Sequence, residues 1–178
     1  MSDGKSQEQN LNGGESRNFD VLLREGTDLL RRGRTSEALD LLEAAYVLQP
    51  GNLDAALNFS GALILSNKFK RAVEVLEPLR DMAPDNPMVW TNLGAAYLGN
   101  PVIALDANHD KAVAAFKQAL ILNPAAPSVA YNIGLIYRDR REYAEAAQWF
   151  RQAVQTNPND QHARSLLEKM LAELDEEE

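Results

Sequence analysis

Apolar residues in this chain recur at intervals of three and four, and no stretch alternates with the period of two that a half-buried strand requires. Ile133, Ile136 and Tyr137, followed by Ala146, Ala147, Phe150, Ala153 and Val154, show the spacing most clearly. That is the stripe an amphipathic helix buries. The pattern predicts an all-α chain with helices over 19–32, 36–48, 53–66, 70–83, 87–98, 110–122, 127–138, 143–156 and 161–175. Pro50, Pro84, Pro124 and Pro158 end every second helix, because proline cannot continue a helix and restricts the residue before it. Pro87 and Pro127 are expected to open helices, where a missing N–H costs nothing. Pro78 falls inside a helix and is expected to kink it.

The same landmarks return at offsets of 34 or 40 residues, so the chain holds four copies of one unit. A small residue sits in each first helix at Gly26, Ser60, Gly94 and Gly134, and an alanine in each second helix at Ala38, Ala72, Ala112 and Ala146. The small residues let paired helices approach closely. The alanines are expected to lie opposite them, where a larger side chain would overpack. From small residue to alanine is 12 positions in copies one, two and four but 18 in copy three, which therefore carries a six-residue insertion.

Copy three reads Trp90, Leu93, Gly94, Tyr97, Ala112, Phe116 and Pro124, which resembles the tetratricopeptide repeat (TPR), a helix-turn-helix unit of 34 residues. The resemblance implies a right-handed α-solenoid of four repeats, over 19–52, 53–86, 87–126 with the insertion, and 127–160. Residues 161–178 are expected to form a capping helix with an acidic tail. Its apolar stripe of Ala163, Leu166, Leu167, Met170, Leu171 and Leu174 would lie against copy four. Residues 1–18 are polar, with one leucine, and are expected to be a flexible tail. The first copy has Glu25 and Asp28 where later copies place Phe59, Leu93, Ile133 and Ala62, Ala96, Ile136. The expectation is an array bounded at both ends.

In the family, first helices line a concave groove, and the residue two before the small position contacts bound peptide backbone. By resemblance those residues are Arg24, Asn58, Asn92 and Asn132 here. Asparagine offers both a donor and an acceptor, matching a peptide group. Tyr131, Leu135 and Arg138 are neighbouring groove candidates, as are Leu23 and Leu57. Relatives that grip a chaperone's C-terminal carboxylate use two lysines, an arginine and two asparagines. Leu23, Thr27, Met88 and Asn92 stand at all those places except that of Asn58, which argues against that ligand. Within the insertion, Val102, Ile103 and Leu105 form an apolar stretch that either packs back on the helices or makes a binding lip. Asp110 is the expected N-cap of the helix that follows.

Composition narrows the partner. A net charge of −8 and a pI near 4.8 argue against nucleic acid, which needs a clustered positive field. There is no cysteine, hence no disulfide or thiolate metal site. No apolar run is long enough for a membrane span or a signal peptide core, and a cytoplasmic location is expected. Asp106, Asn108 and Asp110 open like a calcium loop, but Lys111 and Lys117 stand where glycine and a bidentate glutamate are required. The two histidines, His109 and His162, have no metal-ligand spacing, and His109 is expected to pack at an inter-helix turn as Phe69 and Tyr143 do. The reading is a non-catalytic adaptor that binds another protein or peptide, with no cofactor or metal. A self-assembling, homo-oligomeric scaffold is the alternative.

Overall fold

The computed structural model describes residues 18–99 and 106–177, which are all-α, with no strand among the described residues. The helices are α1 over 18–31, α2 (Thr35–Leu48), α3 (Leu53–Leu65), α4 (Phe69–Met82), α5 (Pro87–Leu98), α6 (Asp106–Leu122), α7 (Val129–Asp139), α8 (Tyr143–Thr156) and α9 (Gln161–Glu177). The chain divides into two compact units, Met1–Leu79 and Arg80–Glu178. The division falls inside α4, just past Pro78.

In the first unit, Phe19 of α1 packs with Ala45 of α2 and Ala55 of α3, and the rings of Tyr46 and Phe59 stack with centroids 5.3 Å apart. The Arg71 guanidinium of α4 lies 5.2 Å from the Phe59 ring centre. In the second unit, Ala112, Phe116 and Ala119 of α6 share a core with Val129, Ile133 and Ile136 of α7. Phe150 of α8 is covered by Met170 of α9. Ala163 and Met170 are buried on α9, whereas Leu171, expected in the same buried stripe, is 40% exposed. Leu171 lies about 100° around the helix from Met170, at the margin of the stripe.

Each helix pair closes on the small residue of its first helix. A Cβ added at Gly94 would lie 2.5 Å from the Phe116 ring, one at Gly134 2.7 Å from the Phe150 ring, and one at Gly26 2.7 Å from Leu42 Cγ. These partners stand four residues beyond the alanines that were expected to face the glycines. The large side chain one turn further along the second helix fills the space, and Ala38, Ala72, Ala112 and Ala146 are wholly buried beside it. Ser60 holds the corresponding place in α3, buried, with its hydroxyl donating to the Leu57 carbonyl at 2.9 Å.

Three of the turns between first and second helices share one construction. Gly33, Asn67 and Arg141 occupy the same position and have φ of 74°, 57° and 61°. In each, the next amide donates to the carbonyl five residues back: Arg34 to Leu29, Lys68 to Leu63 and Glu142 to Tyr137, at 3.0, 2.8 and 2.9 Å. This is the glycine-closed helix end in which a left-handed residue satisfies orphan carbonyls. Glycine and asparagine suit it, and an arginine there is strained. In copy three, Gly99 ends α5 two residues earlier, at φ 59°.

The turns after the prolines carry their own caps. The side chains of Asn52, Asn86 and Asp160, each two residues past its proline, accept from the amides of Ala55, Met88 and Ala163 at 3.0, 2.9 and 3.0 Å. Copy three has the buried, cap-less Ala126 at that position. Consequently α7 does not open at Pro127. It begins at Val129, after Ser128 with φ 60° and no side-chain cap. Two further boundaries differ from expectation: α6 begins at Asp106, so Asp110 is not its N-cap, and residue 18 is already helical. An aspartate caps only where the chain before it leaves the helix, and the helix here continues four residues upstream.

Replacing Gly94 by alanine should destabilise the protein by about 1 to 3 kcal/mol through overpacking on Phe116. Gly61→Ala, on α3 with nothing within 4 Å of the added carbon, should stabilise it by about 0.5 to 1 kcal/mol. Arg141→Gly should likewise stabilise by about 1 kcal/mol by relieving the left-handed strain. Urea unfolding of the three variants against the parent chain reads all three signs.

Candidate functional site

The candidate groove residues are all on first helices, and the small residue fixes how each is presented. When Ser60, Gly94 and Gly134 are buried against the second helix, the positions two residues earlier turn partly outward. Asn58, Asn92 and Asn132 are each half-buried, while Arg24 is exposed. The Asn58 side chain donates from Nδ2 to the Asp54 carbonyl at 2.8 Å, one turn back. That bond orients the amide and leaves Oδ1 to accept. Arg24 and Asn58 belong to the first compact unit, and Asn92 and Asn132 to the second.

Around Asn132, the Tyr131 ring meets Phe150 edge-on, with centroids 5.8 Å apart and planes at 62°. Leu135 packs on the same α8–α9 cluster. Arg138 donates to the Asp139 carboxylate from Nε at 2.9 Å and from Nη2 at 2.6 Å. Leu57, a groove candidate by position, is buried at 6% exposure and offers no free surface, because it follows Ala55 and Ala56 into the core. Val102, Ile103 and Leu105 lie outside the described residues, as do residues 1–17 of the flexible tail expected over 1–18.

Sequence spacing did not reveal a cavity of about 290 Å³ in the second unit, lined by Ala126, Pro127, Ser128, Tyr131, Thr156 and Asp160 among others. It stands where the cap of α7 is missing, so the absence of an asparagine or aspartate at residue 126 was its only signal. Tyr131 alone among the candidate groove residues reaches it.

Two arginines near the turns are paired with glutamates at the surface. Arg34 bonds Glu37 from Nε at 2.7 Å, and Arg71 bonds Glu43 from Nη1 at 3.2 Å. The hydrogen bonds from these arginines hold both carboxyls below the usual glutamate range. Among the described residues no three histidine, aspartate or glutamate side chains gather to hold a metal ion, and no helix is long and apolar enough to cross a membrane. Trp90 is half-buried, and its indole N–H donates to the Pro84 carbonyl at 2.7 Å. His109 is buried at 6% exposure within α6, and neither ring nitrogen has a hydrogen-bond partner among the described residues.

The sequence matches the tetratricopeptide repeat over residues 29–96 and again over 106–161. It is 27% identical over 125 residues to the general transcriptional corepressor ssn6 of Schizosaccharomyces pombe, covering 69% of this chain and 11% of that protein. It is 23% identical over 161 residues to the BBSome complex member BBS4 of Bos taurus, covering 90% of this chain and 30% of that one. The chain thus spans less than a third of the length of either relative. The fold is similar to the crystal structure of a thermophilic TPR protein of Thermus thermophilus, with a TM-score of 0.75, 22% identity and coverage of 88% and 82% of the two chains.

His109 stands where other copies place Phe69 and Tyr143. Replacing a buried, unbonded imidazole by an apolar ring removes a desolvation cost, so His109→Phe should raise stability by about 1 to 3 kcal/mol. A fall in the urea midpoint of that variant would mean that the imidazole is held by a partner.

Proposed function

The chain belongs to the tetratricopeptide repeat family, and from that premise we propose that it is a non-catalytic adaptor holding a peptide segment of a partner protein in the groove of its first helices. TPR repeats are protein-interaction repeats, and the names of two relatives, a corepressor and a member of a complex, are in keeping with that use. The observation that carries the reading is the asparagine series. Asn58, Asn92 and Asn132 recur two residues before the small position, each half-buried.

That placement suits backbone recognition. An amide partly sunk between neighbouring side chains loses little further freedom on binding, and it presents a donor and an acceptor to an extended chain. Arg24 stands in the series in copy one, and Tyr131, Leu135 and Arg138 border it in copy four. Hydrogen bonds to a peptide backbone give affinity with little regard to its sequence, so specificity comes from these bordering residues.

With a partner recovered from the native cell by affinity capture and then purified, the triple variant Asn58→Ala, Asn92→Ala, Asn132→Ala should bind about tenfold or more weakly, as the loss of three hydrogen bonds of about 1 kcal/mol each implies. Its far-ultraviolet circular dichroism should be unchanged. Undiminished affinity would remove the groove from the account.

A further inference from the structure

The lysines and arginines of this acidic chain are not spread evenly over its surface. Of 18 in the sequence, Arg31, Arg32, Arg34, Lys68, Lys70, Arg71, Arg138, Arg140 and Arg141 all stand at the three described turns that join a first helix to its second. The turns that follow the second helices, over 49–52, 83–86, 123–128 and 157–160, carry no cation. Arg141 even occupies a left-handed position that glycine or asparagine fills in the other two turns.

Helix dipoles do not account for this. Cations at helix C-termini are favourable, which suits Arg31 and Arg138. The last turns of α2, α6 and α8 offer the same field and hold no basic residue. Conversely, Lys70 and Arg71 lie in the first turn of α4, where the dipole disfavours them and no acidic residue is present.

In the first unit the charges face one way. Successive helices joined by short turns run antiparallel, so the α1–α2 and α3–α4 turns lie at one edge and the α2–α3 turn at the other. All six cations of this edge are exposed. Three are answered within the unit: Arg31 by Asp28 at 3.0 Å, Arg34 by Glu37, and Arg71 by Glu43 across from α2. Among the described residues Arg32, Lys68 and Lys70 make no ion pair within 4 Å, although the Lys68 charge is near enough to help hold the Glu43 carboxyl down. A hollow of about 350 Å³ at the α3–α4 turn, lined by Asn67, Lys68, Phe69, Lys70, Arg71 and Glu74, has an apolar ring among its cations and one carboxylate at its border.

We propose that this basic edge of the first unit, through Arg32, Lys68 and Lys70, docks an aspartate- or glutamate-rich peptide segment of a partner protein. The surface is separate from the asparagine groove. A net charge of −8 decides the class of partner. A long polyanion or an anionic membrane would bring its field against the rest of an acidic molecule, whereas a short acidic segment touches only the edge, within a screening length of about 8 Å. Exposed lysines and arginines steer and orient an acidic ligand more than they bind it tightly, so the docking is sensitive to salt.

The test uses the full chain and a fluorescein-labelled peptide of alternating glutamate and glycine, read by fluorescence anisotropy at low salt. Binding should weaken steeply as salt is raised. The charge-reversed variant Arg32→Glu, Lys68→Glu, Lys70→Glu should bind about tenfold or more weakly, with unchanged circular dichroism. The matched reversal Arg151→Glu, Arg164→Glu, Lys169→Glu should bind as the parent does. In the background of the three asparagine-to-alanine changes, which removes backbone capture by the groove, the glutamine counterpart of the peptide should bind about tenfold or more weakly than the glutamate peptide. The proposal is overturned if the glutamate peptide fails to bind, if both reversals weaken it equally, or if phosphatidylserine vesicles or single-stranded RNA bind more tightly than the peptide. The alanine variant of the three asparagines should keep the steeply salt-sensitive part of the binding of this probe, which the charge reversal removes, so this edge and the groove stand or fall separately.

Discussion

The fold depends on how closely two helices approach at one residue. At Gly26, Gly94 and Gly134 there is no room for a single added carbon, because Leu42, Phe116 and Phe150 occupy it. An aromatic or branched side chain lying on bare backbone buries its full apolar surface while keeping the helix axes near. The wholly buried alanine one turn earlier follows from the same approach. So does the presentation of the first helix: once the small residue faces its partner, the position two before it must turn partly to solvent. The asparagine series is therefore held in place by packing on the opposite side of the helix.

Ends matter as much as faces in helices this short. An isolated helix of about a dozen residues is marginal in water, and these are kept by tertiary contact and by caps at both kinds of turn. Gly33, Asn67 and Arg141 close the first helices, and Asn52, Asn86 and Asp160 start the next ones. Where one cap is lacking, at Ala126, the helix starts late and a cavity takes the place of the missing turn. The two kinds of turn differ in charge as they differ in construction. One kind spends its polar side chains on its own backbone. The other has its backbone satisfied by a left-handed residue, which leaves its side chains free to carry charge outward.

Much of this was legible in the sequence because it rests on spacing. The four-copy register, the all-α fold, the buried second-helix alanines and the buried His109 follow from which positions recur. What spacing concealed was direction. The small residue and the alanine are both landmarks, and pairing them with each other was natural. A side chain in a helix leans toward the N-terminus, so a residue one turn beyond the alanine reaches the glycine first. Boundaries were misplaced for a different reason. Asp110 has the chemistry of a cap but lies four residues inside α6, and Pro127 has that of a helix opener but follows Ala126, which has no side chain to cap the turn. Of the candidate site, the asparagines stand half-buried on first helices, while Leu57 was lost to the core, since one residue of error along a helix turns a side chain through about 100°.

The two surfaces proposed above differ in character, and together they would explain better than one how an interaction module on a common scaffold can be selective. Side-chain amides suit peptide backbone, which every protein has, and so would contribute affinity without choice. Choice has to come from groups that penalise the wrong partner, and exposed cations do so at low cost to stability, since solvent screens their mutual repulsion. Within the first unit the charges sit on turns whose backbone is already satisfied, so their identity is free to vary without disturbing the helix pair beneath. Packing thus fixes where the amides point, and the turns are left free to vary in charge without disturbing it.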